Sequence, residues 1–409
     1  MHKSFLKRYA SRAAVLVACA ALVSSCAAQI PSEGFTQWQT YMNNDGRTNH
    51  SFDAVTVPMV KAWDKDISDF TFFKGYSKAQ FASPALADGV IFVGSTDETF
   101  YSLDMRSGKV LWKFDAGYPL EAPPAVTQDK VCFGSSDGFM RCFDRGGTLL
   151  WEFRARSEIL SSPVIKDSMV FFSSSDDRLY ALDAGTGVKV WNYARMVFKS
   201  VTPRIYASSA WADGRLYHFF SDGTLVCLNA ADGKELWSRK LVKDFDGAQS
   251  TRRTPLVMGT VVYAIDDNNA VVALNSTTGE VKGIYNIIKA HDFVLPDKNT
   301  LVIAGAERVV SINISTGAIL WDKELVNSPM QSVFAAGGYL FVLSNHEARM
   351  LGIYFLTRTK GYVEALKLTD GSIAWTRRLD SSISANGAAA QSAVALMPDS
   401  GELALFTSP

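Results

Sequence analysis

Few side chains in this 409-residue sequence could do catalytic or metal chemistry. His291 precedes Asp292, and a carboxylate beside a histidine can orient the ring as a general base. Carboxylates also gather at Asp176-Asp177 and at 266–269, where they could supply oxygen ligands for calcium. The same residue types are typical of tight hairpin turns, and this interpretation is favoured. The histidines show no metal-ligand spacing; they are His2, His50, His218, His291 and His346. We therefore predict no catalytic residue and no metal site, and a buried structural role for His218, which lies in an apolar strand.

The five cysteines allow one internal pairing. Cys132 and Cys142 flank a turn at 136–138, so they could face each other across a hairpin and form a disulfide in an oxidising compartment. Buried free thiols are the default expectation for these positions and for Cys227, because other repeats carry Phe or small residues there. Cys19 lies in an N-terminal apolar run, and Cys26 follows that run after Ser24 and Ser25.

The first 25 residues have the pattern of an export signal. Lys3, Lys7, Arg8 and Arg12 form a basic region, and the apolar run 13–23 is too short to span a bilayer stably. The small residues before Cys26 resemble the lipobox of bacterial lipoproteins, which predicts acylation of Cys26 after cleavage. An ordinary signal peptide with an incidental cysteine is the alternative. By analogy with those lipoproteins, Ala27 in place of Asp after the cysteine implies delivery to the outer membrane, with the protein facing the periplasm.

The charge balance disfavours nucleic acid as a partner. The chain has 41 basic and 41 acidic residues, and removal of the signal leaves 37 basic against 41 acidic. A mildly acidic protein has no basic surplus with which to bind phosphates.

A short phrase returns seven times and organises the rest of the chain. Each full copy runs from Leu or Ile through a Gly-containing turn to Trp, as in LDMRSGKVLW at 103–112 and LNAADGKELW at 228–237. The copies recur every 38 to 54 residues, close to the period of a four-stranded propeller blade. One copy, 274–283, lacks its Trp. We interpret the Trp residues as scaffold that packs between blades and donates the indole N–H to a carbonyl; they are Trp112, Trp151, Trp191, Trp237, Trp321 and Trp375, with Trp63 as an eighth closing strand.

Eight inner hairpin turns can be counted independently, from Asp88-Gly89 to Asp399-Ser400. The last hairpin, 394–407, has no closing strand after it, whereas the strand around Trp63 has no blade before it. Pairing the two would remove an open sheet edge. The sequence therefore predicts an all-β, eight-bladed propeller over residues 58–409, after a tether or irregular wrap at 26–57. Seven blades are the alternative.

These repeats resemble those of the quinoprotein-type (PQQ-like) propellers and, among them, the BamB family of outer-membrane protein assembly factors. The resemblance covers nearly all of the chain after the signal and includes the tracts 76–95, 251–266 and 291–312. It implies that two interblade loops contact a BamA-type partner, the barrel-inserting protein. Carried over to this chain, that contact falls on Ser200, Val201, Thr202, Arg204, Ser250, Arg252 and Arg253. The family's second loop is acidic, whereas this chain has two arginines there.

We expect a non-enzymatic, lipid-anchored scaffold of outer-membrane barrel assembly, monomeric within a complex and without a cofactor. A different PQQ-like envelope lipoprotein, binding a cell-wall polymer or a secretion component, is one alternative. A small quinoprotein dehydrogenase is another, although the vicinal Cys-Cys pair of those enzymes is missing. The insertion 345–362 is expected to form an extended hairpin or a docking flap.

Overall fold

The computed structural model describes residues 37–67, 79–195, 204, 206–243, 253–349 and 357–409. The regular elements in these residues are β-strands. The described residues contain no helix that is long and apolar enough to cross a bilayer. In the first half of the chain the strands are β1 His50–Ser51, β2 Val60–Asp66, β3 Ala85–Ala87, β4 Val90–Gly94, β5 Thr99–Asp104, β6 Val110–Asp115, β7 Ala125–Val126, β8 Lys130–Gly134, β9 Phe139–Asp144, β10 Leu149–Arg154, β11 Val164–Lys166, β12 Met169–Ser174, β13 Arg178–Asp183 and β14 Lys189–Ala194. In the second half they are β15 Ala210–Ala212, β16 Arg215–Phe219, β17 Thr224–Asn229, β18 Glu235–Lys240, β19 Leu256–Met258, β20 Val261–Ile265, β21 Val271–Asn275, β22 Val281–Tyr285, β23 Asp292–Asp297, β24 Thr300–Ala304, β25 Arg308–Asn313, β26 Ile319–Glu324, β27 Met330–Ala336, β28 Tyr339–Arg349, β29 Thr357–Lys367, β30 Ile373–Arg378, β31 Ala388–Ala390, β32 Ala393–Leu396 and β33 Glu402–Thr407.

These strands form eight sheets, the blades of a propeller, which confirms the predicted fold; their pairs are antiparallel apart from that of β1 with β27. Blades 1 to 7 each take four consecutive strands from β3 onward, and blade 7 also pairs with β1. Blade 8 consists of β31, β32 and β33 closed by β2, so the first and last parts of the chain share one sheet as expected. Closure in this way leaves no blade without its outer strand.

The hydrophobic core lies between blades. Middle strands are buried on both faces, as in β9, whereas outer strands such as β10 are largely exposed. One core cluster joins Met140 of blade 2 to Phe172 of blade 3, and the others likewise join neighbouring blades. Each blade thus depends mainly on its two neighbours, as in other repeat proteins.

The recurring Trp follows a β-bulge in every blade that carries it. In blade 4, Cys227 pairs with Trp237 while Leu228 pairs with Glu235, so Leu236 is the extra residue and points outward. The bulge adds one unpaired residue to the outer strand and shifts its register, so that Trp237 lies opposite Cys227. Six of the seven indoles donate to a carbonyl of the next blade at 2.7–3.0 Å, as predicted; they are those of Trp63, Trp112, Trp151, Trp191, Trp237 and Trp321.

The repeat glycine is explained by the same packing. Gly233 has φ +71°, and a Cβ placed there would lie 2.7 Å from Cδ2 of Trp191. Blade 5 lacks the Trp, having Gly283 instead, and the glycine facing it, Gly317, has no atom within 4 Å of such a Cβ. There the hydroxyl of Tyr285 donates to the carbonyl of Ile314 at 3.3 Å, at the position that the indole serves elsewhere.

One of the eight expected inner hairpin turns, Asp399-Ser400, joins a different pair of strands. The innermost hairpin of blade 8 turns at Gln391 and Ser392, with φ of 52° and 63°, whereas Asp399-Ser400 joins β32 to β33. Two left-handed residues form such a turn, and Gln-Ser lacks the Asn, Asp or Gly that usually marks it.

Residues 37–54, here called the channel segment, line the inside of the ring. Its backbone bonds to blades 1 and 2 through Trp38 and Gln39, and Thr40 contacts Ser162 of blade 3. It continues to blades 4, 5, 6, 7 and 8 in turn; the residues that make these contacts are Asp45, Gly46, Thr48, Asn49 and Asp53. The segment therefore contacts every blade at its innermost strand or within two residues of that strand, before β2 closes blade 8.

Candidate functional site: the loop face and the central cavity

Two kinds of connection share one face of the propeller. Because the strands of a blade alternate in direction, the loops between blades and the turns between second and third strands lie on the same side, here called the loop face. Arg204 and Arg253 are on it. The other residues expected to bind a partner, and the predicted lipidation site, lie outside the described residues; they are Ser200, Val201, Thr202, Ser250, Arg252 and Cys26.

Arg204 joins three consecutive interblade segments. Its Nη2 lies 3.0 Å from Oε1 of Glu121, before blade 2, and its Nε lies 3.0 Å from Oε2 of Glu158, before blade 3. Tyr206 donates its hydroxyl to Glu121 at 2.6 Å and packs against Phe81 at 5.4 Å. Burial lowers the pKa of Arg204, but the bond to Glu158 and the charge of Glu121 raise it overall. The guanidinium is thus a fixed cation, 45% exposed, beside two carboxylates.

Arg253 is turned inward onto its own blade. It donates to the carbonyls of Ile265 and Asp266 at 3.0 and 2.5 Å, and to Oδ1 of Asn269 at 3.2 Å. Burial is the main influence on its pKa and lowers it, against the charges of Asp266 and Asp267. These bonds hold the blade 5 turn and leave this arginine little freedom to meet a partner.

A cavity of about 350 Å³ opens at the centre of the loop face. All eight blades contribute to its wall, and Tyr41 and Met42 of the channel segment lie against it. Its aromatic lining includes Phe81 and Tyr206. The sequence did not predict this cavity, because its wall comes from short, dissimilar segments brought together only by the ring.

Asp292 lies in the cavity wall with its carboxylate held by backbone. The N–H of Phe293 donates to Oδ1 at 2.8 Å, and the N–H of Val333 in blade 7 donates to Oδ2 at 3.2 Å. Burial raises its pKa to about 7, against the lowering effect of these two bonds. Within the described part of the chain, no hydrogen bond joins this carboxylate to the ring of His291. The pair therefore does not form the arrangement in which a carboxylate orients a histidine base.

The remaining chemical candidates have structural roles. Asp177 accepts the N–H of Ser221 at 3.0 Å, and Asp266 accepts two N–H groups of its own turn. Among the described residues no three His, Cys, Asp or Glu side chains gather as a metal site would require. His218 is 2% exposed, its Nδ1 is 3.1 Å from Oγ of Ser209, and burial lowers its pKa to about 3. The expectation of a buried structural histidine is confirmed.

Cys132 and Cys142 form a disulfide. They pair directly across β8 and β9, so the default expectation of two free thiols is wrong for them. Their alternation in the two strands places both on the same buried side of the sheet. Cys227 is free and buried, and burial raises its pKa to about 12.

The insertion in blade 7 is an extended hairpin, the first of the two forms expected. Strands β28 and β29 each have 11 residues and pair from Tyr339–Lys367 to Arg349–Thr357. Because it joins second and third strands, this hairpin extends from the loop face.

Comparisons with known proteins show one family, and the fold is shared with a group of dehydrogenases. The family model described as outer membrane protein assembly factor BamB matches residues 31–146, 101–304 and 290–377. The chain is 25% identical over 362 residues to the BamB of Shewanella oneidensis, covering 85% of this chain and 80% of that protein. The structure of BamB from Moraxella catarrhalis is similar with a TM-score of 0.65 at 16% identity, covering 86% of this chain and 100% of that one. Quinohemoprotein alcohol dehydrogenase from Comamonas testosteroni is similar with a TM-score of 0.70 at 12% identity, covering 95% and 82%. The two structural likenesses concern the fold alone.

Proposed function

Since this chain belongs to the outer membrane protein assembly factor BamB family, we propose that it is a non-enzymatic scaffold of outer-membrane β-barrel assembly. In this proposal the mature protein begins at an acylated Cys26, is held at the periplasmic side of the outer membrane, and binds a BamA-type partner through the loop face. The observation that carries the proposal is the family match, which spans most of the chain from residue 31 to residue 377.

The arrangement around Arg204 supports the loop face as the docking surface. A side chain that is already fixed loses little conformational entropy when a partner binds, which favours affinity. Arginine and tyrosine are also enriched among the residues that contribute most to protein interfaces. Arg204 and Tyr206 combine both properties, and Tyr206 also lines the central cavity.

A quinoprotein dehydrogenase remains the alternative from the enzyme class, since such enzymes share the fold. The channel segment favours the scaffold, because it fills part of the central channel between the innermost strands and so leaves less room there for a cofactor. The alternative predicts that purified protein supplied with PQQ and calcium oxidises alcohols or sugars with a dye as acceptor. The scaffold proposal predicts no such oxidation above that of a buffer control.

Site-specific photocrosslinking in membranes tests the docking proposal. A photoreactive residue at Val201 or Ser250 should capture a BamA-type barrel protein. The matched control is the same residue at Arg106, which is exposed in the turn between the third and fourth strands of blade 1, on the opposite face. Capture of a different envelope protein from the loop face, or equal capture of the barrel protein from Arg106, would contradict the proposal.

A second test asks what Arg204 contributes. Arg204→Ala leaves the carboxylates of Glu121 and Glu158 without their cation, so barrel-protein capture from Val201 should fall about tenfold or more. Lys234→Ala removes an ion pair with Asp232 in the turn between the third and fourth strands of blade 4, on the opposite face, and capture should be unchanged. Equal effects of the two variants would remove the support that we draw from Arg204.

A further inference from the structure

The side chains at the mouth of the central cavity form a ring that we call the channel collar. It consists of the polar residues that precede or begin the innermost strands of six blades; they are Ser83, Ser208, Thr254, Asp292, Ser332 and Asn386. Backbone N–H groups of neighbouring blades donate to several of them. Ser162 donates to Oγ of Ser208, Ser208 to Oγ1 of Thr254, and Asn386 to Oγ of Ser83, all at 2.9–3.0 Å.

Uncharged hydroxyls are therefore sufficient acceptors for these bonds between blades. Asp292 accepts a bond of the same kind from Val333, but it adds an ionisable carboxyl that the bond does not require. No other collar residue named above can carry a charge. Among the described residues Asp292 has no ion-pair partner. Arg253 also lines the cavity, but it donates to Ile265, Asp266 and Asn269 instead.

The surroundings of the cavity also carry surplus acid. Glu121 and Glu158 share the single guanidinium of Arg204. Asp399 is 6% exposed behind the lining residue Ser384 and accepts bonds from Ser382, Ser384 and the N–H of Gln80, none of them cationic. Carboxylates held in a partly buried site attract a cation more strongly than they would in water.

The size and lining of the cavity suit one long side chain. A volume of about 350 Å³ exceeds that of a single amino-acid side chain. Tyr41, Met42 and Met330 offer apolar and aromatic surface to a methylene stem, while Asp292 offers a carboxylate to its end. Lysine and arginine have this combination of an apolar stem and a charged tip.

We propose that the central cavity is a socket for a lysine or arginine side chain of a polypeptide bound on the loop face. The cationic end would pair with Asp292, and the stem would pack on the two methionines. The proposal rests on the proposed function only for the source of that polypeptide, because the socket itself is built entirely from this chain.

Blocked tripeptides test the socket without any partner protein. The probes are acetyl-Gly-Lys-Gly-amide and its norleucine and glutamate analogues, which share the backbone and differ in charge. In protein labelled at methionine methyls, the lysine peptide should shift the resonances of Met42 and Met330, and the norleucine and glutamate peptides should bind at least about tenfold more weakly.

Two variants distinguish the loss of the Asp292 carboxylate from a general effect on the fold. Asp292→Asn retains one oxygen that can accept from Val333 and gives up the local bond from Phe293. It should weaken the lysine peptide at least about tenfold, while the methyl spectrum without peptide stays native. Asp267→Asn, at an exposed turn position on the same face, should leave binding within about twofold. Equal binding of the norleucine peptide, an unaffected Asp292→Asn variant, or no shift up to about 10 mM peptide would overturn the socket. The photocrosslinking result is independent of these measurements, so failure of the socket is distinguishable from failure of the proposed partner.

Discussion

Two glycines allow the packing of the repeat Trp to be measured against an internal control. Gly233 and Gly317 occupy the same turn position in blades 4 and 6, with φ of +71° and +70°. A Cβ at Gly233 would lie 2.7 Å from Cδ2 and Cε3 of Trp191, whereas one at Gly317 meets nothing within 4 Å. The two sites thus share backbone strain and differ in contact with an indole.

Alanine at either position carries the cost of a left-handed conformation, about 1 kcal/mol. At Gly233 the new methyl group also displaces the ring of Trp191, and overpacking of this kind costs about 1–3 kcal/mol more. Displacement would further strain the bond of 2.9 Å from the indole to the carbonyl of Ala230. We expect Gly317→Ala to lower the free energy of unfolding by about 1 kcal/mol, and Gly233→Ala by about 2–4 kcal/mol.

Urea unfolding followed by tryptophan fluorescence would measure both losses, provided that the dependence on urea is the same for each variant. A thermal midpoint should rank them in the same order. Equal losses at the two sites would mean that the indole contributes nothing beyond the turn strain. A larger loss at Gly317 would refute the packing argument altogether.

Three further predictions concern buried groups. Arg47 is fully buried and donates to five acceptors, including the carbonyls of Ser209 and Tyr41. Arg47→Met should therefore lower the free energy of unfolding in urea by about 3 kcal/mol, whereas Arg154→Met at an exposed site should lower it by less than about 0.5 kcal/mol. Similar losses for the two variants would show that the bonds of Arg47 contribute little. Replacing Cys132 and Cys142, which are 10 residues apart, by alanine should cost about 3 kcal/mol, and a reducing agent should lower the urea midpoint of the wild-type protein but not that of the variant. Burial raises the pKa of Asp292 to about 7 from 3.8, so between these pH values the folded protein holds a proton that the unfolded chain releases. The stability that this proton contributes is present below pH 3.8 and is lost as the pH rises to 7. Asp292→Asn should flatten this decline of the thermal midpoint with pH, and an unchanged slope would contradict the raised pKa of Asp292.

The architecture was predictable because nearly every blade repeats the same short sequence motif. Successive copies of the Leu–turn–Gly–Trp phrase mark outer strands, and any one copy confirms the spacing of the others. The unmatched strand at Trp63 and the unmatched hairpin at 394–407 then required each other. Periodic, local signals of this kind survive in a sequence even when individual residues change.

The candidate site was less predictable, because its contacts are unique and distant in sequence. Arg204 was identified as a surface residue, yet nothing at 121 or 158 indicates that these glutamates meet it. The channel segment is polar and rich in turn formers, which left a tether and a wrap equally compatible with it. Its inward role depends on Arg47, whose acceptors are mostly backbone carbonyls and therefore leave no trace in the pattern of side chains.

The channel segment also changes how the ring is held together. In a propeller each blade contacts two neighbours, so the ring could open at its weakest interface, and blade 5 without its Trp is a candidate for that interface. A segment that bonds at or beside the innermost strand of every blade couples blades that do not touch each other. Opening at any interface would then break contacts of the segment as well. Because Tyr41 and Met42 of the same segment line the cavity, the shape of the proposed socket depends on the element that holds the ring closed.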